Sequence, residues 1–370
     1  MGRLCLAAIF AALASALAAA AEPASPPVSR FDALKPKLWS KDKAERQAAY
    51  DAYLREGAEG QKALADELLA IRKAALSACR DFYPPDDPKK ALSLHRRLAE
   101  ARAEALRVIF DTKLYPDADH GRAGQPIVDK AVDAVKAAYP SHRRAFDPLV
   151  KRFERVPRAY ERIQEIDALL SKLGVKDAEP APPLDKLTGC DPELLKALAE
   201  LADYYDLCGR VLRYNRLIRT TMTSDERKLV ELTNEYRMQL GLRPLAISEP
   251  LTQAARKHSQ EMQRLGYFGH DSPTPANRSP AQRCASEGYG HFRGENCANG
   301  PATPDSAFRG WYNSSGHHRN MLGAGHTEIG VGISATLWTV DFGARPDLDL
   351  DNPPRSLPKP ASPKEPLGKK

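Results

Sequence analysis

The sequence predicts an α+β protein in which a long all-helical stretch precedes a smaller layered domain. Three observations carry this. Residues 31–220 keep apolar side chains three and four positions apart, the spacing of amphipathic helices. At Thr223 the character changes, and "TSDE" opens a helix with a capping box, Thr223 at the N-cap and Glu226 three residues on. Further along, "EIGVGISATLWTVDF" alternates with period two and reads as a β-hairpin with one buried face. Helices mixed with antiparallel strands over residues 224–343 make a layered α+β domain.

The elements follow in order. Residues 1–21 read as a secretory signal: Arg3, the apolar "LCLAAIFAALASALA" and small residues ahead of Glu22. No later run approaches the ~20 apolar residues of a membrane span, so the mature chain is expected to be exported with no transmembrane segment. "AERQAAYDAYLREGAEGQKALADELLAIRKAALSACR" and "ALSLHRRLAEARAEALRVIF" are helical, separated by "YPPDDPKK". A third helical stretch runs near "VDKAVDAVKAAY" and a fourth through "PLVKRFERVPRAYERIQEIDALLSKL". After "KDAEPAPPLDK", Asp191 as N-cap and Pro192 as first residue start the last helix of this half, a bundle or hairpin array. In the second half, helices are expected from Thr223 to Gly241, from about Ser248 and Pro250, and from Thr303, burying Phe308, Trp311 and Tyr312. Residues 351–370, rich in Pro and Lys, predict a disordered tail.

The formal net charge of +7 is modest, and no basic patch interleaved with aromatics points to nucleic acid. Five cysteines remain after residue 21: Cys79, Cys190, Cys208, Cys284 and Cys297. Export permits disulfides. Cys284 and Cys297 flank a short Gly-rich segment and are the best candidate pair, a closure that would stabilise by roughly 3 kcal/mol. Cys190 and Cys208 would lie about 27 Å apart on an unbroken helix at 1.5 Å per residue, which makes Cys79 the better partner for one of them.

Seven phrases, "LTNEYRMQLGLRPL", "AARKHSQEM", "GHDSP", "GENCANG", "GWYNSSGHHRNML", "HTEIGVGI" and "LWTVDFG", in this order resemble the CAP superfamily of cysteine-rich secretory proteins, antigen 5 and pathogenesis-related proteins, and among these the bacterial SCP-like branch. The resemblance covers residues 224–343. It implies an α-β-α sandwich with a surface cleft, in a protein that is secreted, periplasmic or at the cell surface. Carried over motif by motif, it places His270, Glu295 and His317 on the cleft. Where the family's second acid is expected, this chain has Ser314.

Two imidazoles, His270 and His317, with a carboxylate can hold a divalent metal, most plausibly zinc. The same groups can instead form a hydrogen-bonded network, with Glu295 accepting from an imidazole and Asn320 tying down the "SSG" turn. Of the remaining histidines, His258 lies on an apolar stripe and reads as a core residue, His318 as the solvent-side neighbour of His317, and His326 as a member of the cleft rim. Glu328 is expected to face away from the core. The functional expectation is a binding module whose cleft takes a small apolar or peptide-like ligand or a cell-envelope component. A metal-dependent, peptidase-like hydrolase and a structural envelope protein are the alternatives. Ser314 or Ser315 beside His317 could serve as a nucleophile, although no "GxSxG" elbow is present.

Overall fold

The computed structural model describes residues 31–117, 122–175 and 180–357. The predicted signal segment and residues 358–370 of the predicted tail lie outside the described residues. The chain divides into two compact units: residues up to 82 with 155–188, and residues 83–154 with 189 onward.

The first unit is helical: α1 (Lys35–Leu38), α2 (Lys43–Leu54), α3 (Gly57–Arg80), α6 (Val156–Lys172) and α7 (Leu184–Thr188). Asp42 caps α2, its carboxylate accepting from the amides of Ala44 and Glu45. The sequence reads residues 44–80 as one run, yet the helix breaks ahead of Gly57, whose φ of +69° is a left-handed value glycine adopts freely. Leu38, Tyr50, Tyr53, Leu64, Leu68 and Ile166 form the core.

The second unit holds α4 (Pro88–Phe110), α5 (Gln125–Phe153), α8 (Pro192–Leu217) and the layered domain. Helix α5 runs through Pro140 and Pro148, so the break predicted before "PLVKRF" falls after Phe153 instead. Pro157 then sits in the first turn of α6, where no intrahelical donor is needed. Asp191 caps α8 by accepting from the amides of Glu193 and Leu194.

Thr223 and Glu226 form the predicted capping box of α9 (Ser224–Gln239). There follow β1 (Ala246–Ile247), α10 (Glu249–Leu265), α11 (Pro280–Ser286), β2 (Phe292–Asn299), α12 (Pro304–Tyr312), α13 (Ser315–Met321), β3 (Glu328–Ser334) and β4 (Leu337–Gly343). The sheet order is β1-β3-β4-β2, with β1 parallel to β3 and the other pairs antiparallel. The two-residue hairpin turn is Ala335–Thr336, with Ala335 at φ +54°.

The period-two alternation sorts the hairpin onto two covered faces. Ile329, Val331, Trp338, Val340 and Phe342 pack against Leu229 and Val230 of α9, Trp311 of α12, and Val211 and Tyr214 of α8. On the other face α10 presses onto Gly330 and Gly332; a Cβ at Gly332 would lie 2.0 Å from the backbone nitrogen of Arg256. The result is an α-β-α sandwich. Tyr236 of α9 and Leu240 at its C-cap continue the apolar packing into α4 and α5, against Leu98, Val108, Val128 and Val132.

Because both faces are covered, Glu328 is buried, contrary to the expectation that it faces outward. It is paired with Arg345 at 2.8 Å and accepts from the Tyr289 hydroxyl at 2.7 Å. The disulfide expectation is also corrected. Cys284 and Cys297 carry free thiols, as do Cys79 and Cys208, and these four and Cys190 are buried. Cys284 packs with Leu251, Ala254 and Tyr289, whereas Cys297 packs with Met262 and Leu337, so the two thiols occupy separate apolar clusters. Among the described residues no helix is long and apolar enough to cross a membrane.

Candidate binding cleft

Strand periodicity sets the site. Along β2, Glu295 and Cys297 point to the α10 side of the sheet, and Asn296 between them points to the α12–α13 side. Glu295 faces Asp341 of β4 in register, and Cys297 faces Thr339. Nothing in "FRGENCAN" signals a strand by composition; it is held by its pairing with β4.

Glu295 is the hub. Its Oε1 lies 2.8 Å from His270 Nδ1, in the loop after α10, and its Oε2 accepts from Arg283 Nη2 at 2.6 Å. Arg283, on α11, also donates to the carbonyls of His270 (2.9 Å) and Asn277 (3.0 Å), clamping the His270 loop to the strand. Burial by itself opposes a charge on Glu295, but the His270 hydrogen bond and the Arg283 charge outweigh it and hold the carboxyl below its usual range. The hydrogen bond to Glu295 raises the His270 pKa against a smaller opposing effect of burial. Asp341 is fully buried, with neither carboxyl oxygen hydrogen-bonded. Burial and then the Glu295 charge push it well up, so it is neutral beside an ionised Glu295.

The opposite wall comes from α13. Ser314 is its N-cap residue, and its Oγ lies 2.9 Å from His317 Nδ1. Asn296 donates to the carbonyl of His317 at 3.0 Å, and Asn320 donates to Asn296 Oδ1 at 2.9 Å. Asn320 thus ties α13 to β2, not to the "SSG" turn as expected. A Cβ at Gly294 would meet Asn320 Oδ1 at 2.3 Å, which explains the glycine in "GEN". These walls enclose a cleft of about 620 Å³ that His270, Glu295, Ser314, His317, Asn320 and His326 all line. The sequence-derived residues therefore converge on one hollow.

His318 corrects an expectation. It is fully buried, its Nε2 2.8 Å from the Tyr236 hydroxyl, with Tyr115 and Tyr312 around it. Helix α13 turns Ser315, His318 and Met321 inward, three residues apart, and leaves His317 to the cleft. Burial lowers the His318 pKa to about 3, so it is a neutral core residue. His258 is buried as expected, its Nε2 2.9 Å from the Gly269 carbonyl. His326 stacks on Phe342 at the inner edge of the cleft.

Three contributors escaped the sequence reading. Asp117, from the loop between α4 and α5, forms a lip of the cleft; it accepts from Ser315 Oγ at 2.8 Å and is ion-paired with Arg319. No local signal marks it. Arg283 is equally unmarked. Asp341 had one signal, a lone acid inside an otherwise apolar strand.

As a metal pair, the cleft imidazoles have suitable chemistry. Each has its Nδ1 against a side-chain oxygen, the outer-shell pattern that fixes a ring tautomer for coordination through Nε2. Glu295, with both oxygens engaged, acts as the orienter of His270.

Comparison with known proteins matches residues 230–336 to the cysteine-rich secretory protein family, CAP. The chain is 42% identical over 126 residues to the uncharacterised protein YkwD of Bacillus subtilis, covering 33% of this chain and 48% of that protein. It is 32% identical over 122 residues to the uncharacterised membrane protein YlbC of the same organism, covering 32% of this chain and 34% of that protein. The chain thus spans half or less of the relatives it matches. Among solved structures, an extracellular protein containing an SCP domain from Bacillus anthracis is similar at 32% identity and TM-score 0.32, over 33% of this chain and 40% of that one. An outer surface protein of Borrelia burgdorferi is similar at 22% identity and TM-score 0.30, over 34% and 98%.

Proposed function

Starting from a CAP-superfamily segment at residues 230–336, we propose that the chain is an exported binding protein whose cleft captures a short peptide-like ligand or a peptide-bearing component of the cell envelope. One observation carries this reading: the cleft lining is polar and of both signs. Imidazoles at His270 and His317, the Arg319 and Asp117 charges, the Ser314 hydroxyl and the Asn320 amide surround it. Such a lining offers donors and acceptors to amide groups and to a terminal carboxylate. A divalent cation on the two imidazoles would add Lewis-acid polarisation of a bound carbonyl.

The test is a chemical-shift titration of the full chain with a library of short peptides. Saturable shifts at the amides of Glu295 and of residues 316–320, tighter than about 1 mM and lost in His270→Ala and His317→Ala, are expected. Shifts spread elsewhere, or none, would reject the reading.

One observation favours hydrolysis as a second reading. Ser314 Oγ stands within proton-transfer reach of His317 Nδ1 at 2.9 Å. A fluorophosphonate probe should then label Ser314, and labelling should vanish in His317→Ala. An unlabelled protein removes this reading and leaves the binding reading intact.

A further inference from the structure

We propose that Cys297, Glu295 and His258 form an inner cation site beneath the cleft, taking a thiophilic divalent ion of the zinc class, with His270 hydrogen-bonded to Glu295 at its outer side. Ligand atoms of His258, Glu295 and Cys297 all lie within 4.8 Å of one another, and all three residues are buried. Cys297 Sγ is 3.4 Å from Glu295 Oε1 and 3.8 Å from His270 Nδ1, and those last two atoms are 2.8 Å apart. Donors bound tetrahedrally to zinc at about 2.0–2.3 Å sit roughly 3.3–3.7 Å from each other. The sulfur therefore already stands near a coordinating distance from the Glu295 oxygen.

The geometry is unsuited to the other use of a Cys–His–Glu group. Thiol and carboxylate approach the same nitrogen of His270, so the imidazole cannot relay a proton from one to the other as a nucleophile's base must. The charge balance suits a cation. Once the ion has displaced the thiol proton, the thiolate and the Glu295 carboxylate against the Arg283 guanidinium carry a single net negative charge that the cation meets. On entry, the ion displaces the Cys297 thiol proton. The side chain of His270 is about half exposed, which gives ion and protons a path to solvent.

This inference does not depend on what the cleft binds. The test is zinc X-ray absorption on the full chain loaded with one equivalent of zinc, with cobalt(II) absorption as a second readout. One sulfur scatterer at about 2.3 Å, beside nitrogen and oxygen at about 2.0–2.1 Å, is expected, together with a thiolate-to-cobalt charge-transfer band. Cys297→Ser should abolish both and weaken zinc at least tenfold, while Cys284→Ser and His317→Ala leave them unchanged. A shell of nitrogen and oxygen alone in the unmodified protein, loss of the ion in His317→Ala but not in Cys297→Ser, or no stoichiometric binding would overturn the proposal. The wild-type sulfur measurement decides the matter even if Cys297→Ser fails to fold.

Discussion

Glu295 and Arg283 show how much of the cleft rests on a single buried charge pair. Both side chains are almost wholly enclosed, and Arg283 also holds two backbone carbonyls of the His270 loop. Arg283→Met strands the carboxylate and frees that loop. The expected cost is roughly 3–5 kcal/mol, read by urea unfolding, with loss of the Glu295 and residue 316–320 shifts on peptide addition. A stability change under ~1 kcal/mol would mean that Glu295 keeps its place without Arg283. His142 offers a pH test at the same scale. It is buried between His95, 3.2 Å away, and a stacked Phe146 ring. Burial, and next the His95 charge, lower its pKa from 6.5 to about 4. The unfolded chain then binds more protons than the fold between those values. The stabilisation is complete above pH 6.5 and is lost as pH falls towards 4, at most about 3 kcal/mol. His142→Leu should flatten the acid limb of stability against pH; identical acid limbs would exclude His142 as its source.

At the scale of elements, caps and hairpin were legible because their causes are local. Thr223 with Glu226, Thr303 with Pro304, and Asp191 with Pro192 start helices by side-chain chemistry written within four residues. Thr223→Ala should therefore cost about 1 kcal/mol in thermal unfolding without altering the peptide response; a change in that response would show that α9 also shapes the cleft. Strand β2 was not legible, since its residues lack β-branched side chains and its partner β4 lies some forty positions on. The convergence of His270, Glu295 and His317 came from the phrases shared with a family, not from spacing. The orientation of α13 was misread because adjacent histidines in a turn and in a helix point differently. Only the helical period of Ser315, His318 and Met321 decides which one faces in.

For the whole molecule, the matched segment does not coincide with the packing unit. The sheet's inner face is completed by Val211 and Tyr214 of α8, and α9 is backed by α4 and α5. Residues 224–357 alone would expose both apolar surfaces to water. Expressed by themselves they should bind a hydrophobic dye and lack a cooperative thermal transition, whereas residues 31–357, which keep both units whole, should melt sharply. A cooperative melt of the shorter piece would show that those contacts are dispensable to the sandwich.

The lip donated by Asp117 has an evolutionary consequence. Since one border of the cleft hangs from a connection between helices outside the matched segment, substitutions there would alter its rim while the histidine–glutamate centre and the sheet stay fixed. Asp117 is in that sense a movable border on a fixed frame.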